Sequence, residues 1–262
     1  MKPYDNWLQS AIAAAKQGGR VIKQAWQGPH AVHFKSPRNI VTETDIQVED
    51  IVLSSLQKAF PDHAFTSEEA GADAVNAPVR WFVDPLDGTT NFSRDNPNFC
   101  ISLAAAENGQ PVVGVIFDPL RDHMFAATYR GGASLNGKAL HVSDVTEVYK
   151  AVISFDIPRL PEARQKIMDT MQKLVKHIRT VRGLGSAALN MAYIAAGWTD
   201  GYLALNMSPW DQMAAALLIT EAGGVVATLS GQAWDVESRD PLMAASPELE
   251  IALRSILRDG DL

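Results

Sequence analysis

The sequence predicts an α+β protein, and three observations carry that prediction. Residues 5–60 place apolar side chains at helical spacing. From Trp81 to Thr128 the period shifts to short strand-like runs separated by turn signals, and the last third alternates helix and strand patterns again. Hairpins lying beside helical layers predict a sandwich of sheets and helices, not a doubly wound parallel sheet.

Residues 5–26 read as an amphipathic helix, with Ala and Val/Ile spaced three and four apart. A polar loop, Lys35-Ser36-Pro37-Arg38-Asn39, leads into Ile40-Val41-Thr42. Thr42 or Thr44 then caps a second helix through about Phe60, with Val48, Ile51, Val52, Leu56 and Phe60 on one face. Trp81-Phe82-Val83 is a short buried strand that Asp84-Pro85 stops. Strands follow over 99–106, 112–117 and 124–128, joined by the hairpin signal Asn108-Gly109 and the turn Gly131-Gly132. A strand at 151–155 precedes a helix over about 161–176. Residues 186–196 then read as a helix, 201–205 as a strand, 209–222 as a helix, 225–228 and 242–245 as strands, and Pro247 opens a last helix. A single domain over 1–262 accounts for these elements, with any division near residues 140–150, into lobes 1–145 and 146–262.

Composition narrows the function. A chain of 262 residues that is 47% hydrophobic and 20% charged buries a substantial core. No apolar run reaches the ~18–20 residues that cross a bilayer. Asp5, Asn6, Gln9, Ser10 and Lys16 break up any signal-peptide core, so the expected location is cytoplasmic. The net charge is −7 and no segment is rich in Lys or Arg, which argues against nucleic acid as a main partner. Cys100 is the only cysteine, which excludes an intrachain disulfide and thiolate zinc clusters. Its apolar neighbours Phe99 and Ile101 predict a buried thiol. His30 and His33 read as solvated loop residues, a weak zinc signal. The glycine pairs lack nucleotide-binding spacing, and Ser186 lacks the context of a hydrolase nucleophile.

The most informative segment runs Asp84-Pro85-Leu86-Asp87-Gly88-Thr89-Thr90-Asn91-Phe92. Two carboxylates sit three residues apart directly after a strand. Pro85 fixes one torsion between them, and Gly88 permits tight geometry after them. Such a turn aims both acids at one point, where they repel unless protonated or bound to a cation. Hard oxygen donors of this kind suit Mg²⁺. The bland alternative for the pentapeptide alone is a capped surface turn. Glu68-Glu69, Asp211 and Asp45 also have bland readings, as a solvated loop pair and as first-turn acids favoured by the helix dipole. Their coincidence with the central turn points to one shared site.

These residues resemble the inositol monophosphatase family of lithium-sensitive, metal-dependent phosphatases. The likeness spans Asn39 to Asp45, Ser67-Glu68-Glu69, Asp84 to Phe92, Leu184 to Ala188, and Trp210 to Gly224. It implies a layered αβαβα sandwich with two mixed or antiparallel sheets, usually homodimeric. It further implies that Glu68, Asp84 and the Leu86 carbonyl hold one metal, and that Asp84, Asp87 and Asp211 hold a second. Glu68 helps place a third ion, so two or three Mg²⁺ per site are expected. Asp45 and Thr89 match the pair that positions and deprotonates the attacking water, with no covalent phosphoenzyme. Gly88 and Thr89 match the phosphate-binding backbone. Asp87, Gly185, Ser186, Ala187 and Asp211 match the substrate contacts.

One position departs from the pattern. Family members that act on inositol phosphate carry a glutamate seven residues before the Trp-Asp aspartate, and here that residue is Ala204. A methyl group accepts no hydroxyl hydrogen bond. The expected substrate is therefore a small phosphate monoester of the polyol or sugar kind, inositol monophosphate first. An NADP(H) phosphatase or a fructose-1,6-bisphosphatase with the same metal site is the alternative. A 3′-phosphoadenosine 5′-phosphate phosphatase is disfavoured by Thr90-Asn91-Phe92. A non-catalytic regulatory protein that keeps the fold is the competing class.

Overall fold

The computed structural model describes residues 4–258. In chain order the elements are α1 (Asp5–Ala25), β1 (Val32–Ser36), β2 (Asn39–Thr42), α2 (Glu43–Ala59), β3 (Ala64–Ser67) and β4 (Gly71–Ala72). Next come β5 (Val79–Asp87), the one-turn helix α3 (Thr89–Phe92), β6 (Cys100–Glu107), β7 (Gln110–Asp118), β8 (His123–Thr128), β9 (Gly132–Leu135) and β10 (Lys138–Ala139). The remainder is β11 (Val152–Phe155), α4 (Pro161–Leu174), β12 (Thr180–Arg182), α5 (Ala187–Ala195), β13 (Gly201–Leu203), α6 (Pro209–Glu221), β14 (Val225–Thr228), β15 (Pro241–Ala244) and α7 (Pro247–Arg258).

The eight-stranded sheet has the order β10-β9-β8-β7-β6-β5-β3-β4, and the five-stranded sheet β12-β11-β13-β15-β14. Both are mixed. β3 runs parallel to β5 in the first, and β11 runs parallel to both β12 and β13 in the second. The layering is αβαβα, as expected. α1 and α2 cover one face of the large sheet, where Ala14, Ile22, Val48, Val52 and Leu56 meet Trp81, Val83, Leu103 and Val115. α5 and α6 fill the space between the two sheets. α6 is buried on every side from Gln212 to Ile219: Met213 to Ile219 is apolar all round, and the Gln212 amide donates to the Ser238 carbonyl and accepts from Trp234 Nε1. α4 and α7 close the outer face of the small sheet with Ile167, Met171, Leu174, Leu249 and Leu253.

Three departures from the sequence reading have local causes. β5 does not stop at Asp84 but continues to Asp87, and its register against β6 slips between those two residues. Pro85 has no N–H to give a ladder, and a slipped register is where a strand tolerates that lack. Lys35 and Ser36 lie in β1, which pairs with β2 as a separate hairpin, so the polar loop is shorter than expected. His30 is covered, its ring centroid 4.3 Å from that of Phe92, while His33 is exposed. No described helix is long and apolar enough to cross a membrane.

The central sheet is the main stability element. Leu103→Ala empties a fully buried position of β6 and should cost about 2–5 kcal/mol in denaturant unfolding. Ile251→Ala on the open face of α7 should stay within about 0.5 kcal/mol of the parent.

Candidate active site

Five acids come from four elements. β3 and β5 are parallel and in register, Ser67 opposite Val83, so their C-terminal ends emerge together and carry Glu68, Asp84 and Asp87. The Glu68 N–H donates to the Val83 carbonyl at 3.1 Å, which fixes the start of its loop. Asp45 and Asp211 sit in the first turns of α2 and α6, each the third residue of its helix and the acid of a capping box, with Thr42 and Ser208 as caps. The Thr42 N–H donates to Asp45 Oδ2 at 2.9 Å and the Ser208 N–H to Asp211 Oδ2 at 3.0 Å. Both are first-turn acids, as the sequence predicts, and the capping bond also fixes where their other oxygens point.

Thr89 joins the cluster from α3. Its Oγ1 donates to Asp45 Oδ1 at 2.8 Å and lies 3.1 Å from the Leu86 carbonyl oxygen, Leu86 itself being fully buried. Asp84 Oδ1 accepts from the Leu86 N–H at 3.0 Å. Asp87 Oδ2 accepts from Ser186 Oγ at 2.6 Å and from the Ala188 N–H at 2.8 Å, which ties the end of β5 to the start of α5. Asn91 Nδ2 adds bonds to the carbonyls of Asn98 and Leu184, at 2.7 and 2.6 Å.

Two glycines make this closure possible. Gly88 has φ +98°, and a Cβ there would lie 2.8 Å from the Asn98 carbonyl. Gly185 has φ +74°, and a Cβ would come within 3.0 Å of Asn91 Nδ2. Both conformations cost an L side chain free energy that glycine avoids.

The acids raise one another's proton affinity. Burial pushes Asp84 well above the usual carboxylate range, and repulsion from Glu68, Asp87 and Asp211 adds to it. Burial and then Glu68 and Asp87 push Asp211 up to about 8. Asp87 is raised by burial against the hydrogen bonds of Ser186 and Ala188, and Asp45 by burial against those of Thr42 and Thr89. Only one oxygen of Asp84 and one of Asp211 takes a protein hydrogen bond among the described residues, leaving Oδ2 and Oδ1 respectively. An all-oxygen, mutually repelling set fits a small hard cation. Among the described residues no three such side chains close tightly enough to enclose an ion as they stand.

Glu68 is paired with two basic side chains. Arg159 Nη1 lies 3.1 Å and Lys35 Nζ 3.5 Å from its Oε1, and Lys35 also reaches Glu69 at 2.6 Å. The sequence places Lys35 only in a polar loop and gives no local signal for Arg159, which arrives from the loop before α4. Nor does it mark Glu49, a buried residue of α2 whose Oε1 accepts from the N–H groups of Glu69 and Ala70 at 3.0 and 3.2 Å. Gly185 is exposed, Ser186 buried and Ala187 half-buried at the start of α5, while Ala204 is buried just beyond β13.

Comparison with known proteins agrees with this architecture. The family model described as the inositol monophosphatase family matches residues 4–260. The chain is 33% identical to Nus factor SuhB of Escherichia coli over 96% of each chain. It is 34% identical to an inositol monophosphatase of Dictyostelium discoideum, covering 97% of this chain and 95% of the relative. The solved Thermotoga maritima IMPase superposes with a TM-score of 0.88 at 30% identity, covering 97% of each chain.

Repulsion in the acid cluster has a measurable consequence. In protein stripped of divalent ions near neutral pH, Asp84→Asn removes a carboxyl that must either bury its charge or take up a proton on folding, and should raise the thermal midpoint by about 2–4 °C, ~1 kcal/mol in a chain of this size. A lowered midpoint would contradict the electrostatic account.

Proposed function

The chain belongs to the inositol monophosphatase family, and from that membership we propose that it is a Mg²⁺-dependent phosphatase. Its substrate in this reading is a small phosphate monoester with a polyol or sugar leaving group, inositol monophosphate being the first to test. The observation that carries the proposal is the 2.8 Å hydrogen bond from Thr89 Oγ1 to Asp45 Oδ1 beside a group of buried acids. Family members are generally metal-dependent, and the donor set here is of the right chemistry. Glu68, Asp84, Asp87, Asp211 and the Leu86 carbonyl would hold two or three Mg²⁺ ions. Those ions, when bound, neutralise phosphate charge and acidify water.

The remaining work falls to the chain's own groups. Thr89 Oγ1 gives its hydrogen to Asp45 Oδ1, so its lone pair is free to take a proton from an attacking water. Asp45 Oδ1 is the terminus of that relay, and the Thr42 N–H on Oδ2 keeps the carboxylate from rotating away. The N–H groups of Gly88 and Thr89 open α3 without intrahelical acceptors, and they would bind phosphate oxygens as charge builds there. Gly185, Ser186 and Ala187 would line the leaving-group side, next to Asp87. Ser186 and Ala188 hold Asp87 in place for that task. A homodimeric state, lithium inhibition and a cytoplasmic location accompany this reading. A second reading, a regulatory protein without turnover, is favoured by the 33% identity to a protein named as a Nus factor.

Phosphate release should be measured over inositol monophosphate, NADP and fructose 1,6-bisphosphate with Mg²⁺, with and without Li⁺. At least one ester should turn over, chelation should abolish the rate, and Li⁺ should inhibit it. Thr89→Ala and Asp87→Asn should each lower kcat by about 10²–10⁴-fold, the range of a lost acid–base or positioning group. If every ester stays intact with Mg²⁺ present, the regulatory reading takes its place.

A further inference from the structure

A further carboxylate lies against the site. Asp156 follows β11 and is partly open to solvent. Its Oδ2 accepts from Asn190 Nδ2 and from the Tyr202 hydroxyl, both at 3.0 Å and both from fully buried residues. Neither side-chain donor ends on Oδ1. The Gly185 N–H also points to this carboxylate, and repulsion from Asp87 adds to its burial. Asp156 and Asp87 therefore grip the segment Gly185 to Ala188 from two sides.

The surroundings are short of donors. Asn190 Oδ1 and Ser154 Oγ are buried with no hydrogen-bond partner among the described residues. Ser154 is paired with Tyr202 across β11 and β13 and, two residues before Asp156, shares its strand face. One step past the last pair, Phe155 with Leu203, the two chains carry Asp156 and Ala204. Ala204, buried at that register position, brings no polar group to compete for the carboxylate. Buried acceptors in want of donors match a ligand bearing several hydroxyls.

We propose that Asp156 is the specificity-determining acceptor for hydroxyl groups of the substrate's leaving group, so that the site selects a polyhydroxylated ester. The inference rests on the phosphatase reading above. Asp156 has no part in the water relay or in the cation set. It acts on which ester binds, through a charge-assisted hydrogen bond from a substrate hydroxyl.

The test compares inositol 1-phosphate with p-nitrophenyl phosphate, whose leaving group carries no spare hydroxyl, using the full chain with Mg²⁺. Asp156→Ala should lower kcat/KM for the polyol ester by about tenfold or more, chiefly through KM. It should change hydrolysis of the aryl ester by less than about twofold. Should Asp156→Ala fail to fold, judged by circular dichroism, the near-isosteric Asp156→Asn gives the same comparison. An equal fall on both esters marks Asp156 as a structural prop and overturns the proposal, as does no change on either. Parent protein that cleaves the aryl ester but not the polyol ester also overturns it, while leaving the phosphatase reading intact. Parent protein inert to both esters sinks that earlier reading instead.

Discussion

Mutual repulsion among buried carboxylates is the constraint the rest of the structure answers to. Asp84 is 1% exposed and faces Glu68, Asp87 and Asp211, an arrangement that isolated chain segments would relax at once. Each acid is held against that repulsion by its own local device: two capping boxes, the tight turn at Leu86, the Ser186–Ala188 cradle and, for Glu68, the Lys35 and Arg159 side chains. Behind them stand three apolar layers, which make the ends of β3, β5 and α6 too stiff to separate. The helix α6 illustrates the division of labour. Its apolar body sits between the sheets, and its first turn delivers Asp211.

Much of this was legible in the sequence because the informative signals are local. The Asn108-Gly109 turn, the all-apolar run of α6 and the cap at Thr42 each act within a few residues. They place every helix of more than one turn to within two residues at its start and, for all but α7, whose end the sequence reading leaves open, at its end as well. The acids were legible for a different reason. The turn from Asp84 to Phe92 is rigid by composition, and that rigidity makes its two carboxylates a unit before anything else is known.

What escaped the sequence reading is non-local or short. β4, β10 and β12 are two or three residues long and owe their existence to a neighbouring strand, so no periodicity marks them. Asp84-Pro85 reads as a strand terminator, but the register slip lets β5 pass through it. Arg159, Glu49 and Asp156 reach the site from positions whose flanking residues say nothing of their partners. Asp156 in particular acquires its setting only from the pairing of β11 with β13 and from Asn190 on α5.

The single thiol has a use that follows from its place in the fold. Cys100 is wholly buried at the start of β6, with its sulfur 3.6 Å from Ser186 Oγ and 3.8 Å from Asp87 Oδ2, and burial pushes its proton affinity well up. A sulfur that is both shielded and protonated ignores alkylating reagents and peroxides while the sheet is closed. Its modification rate is therefore a clock for breathing of the molecule's centre, built in without any label or engineered handle.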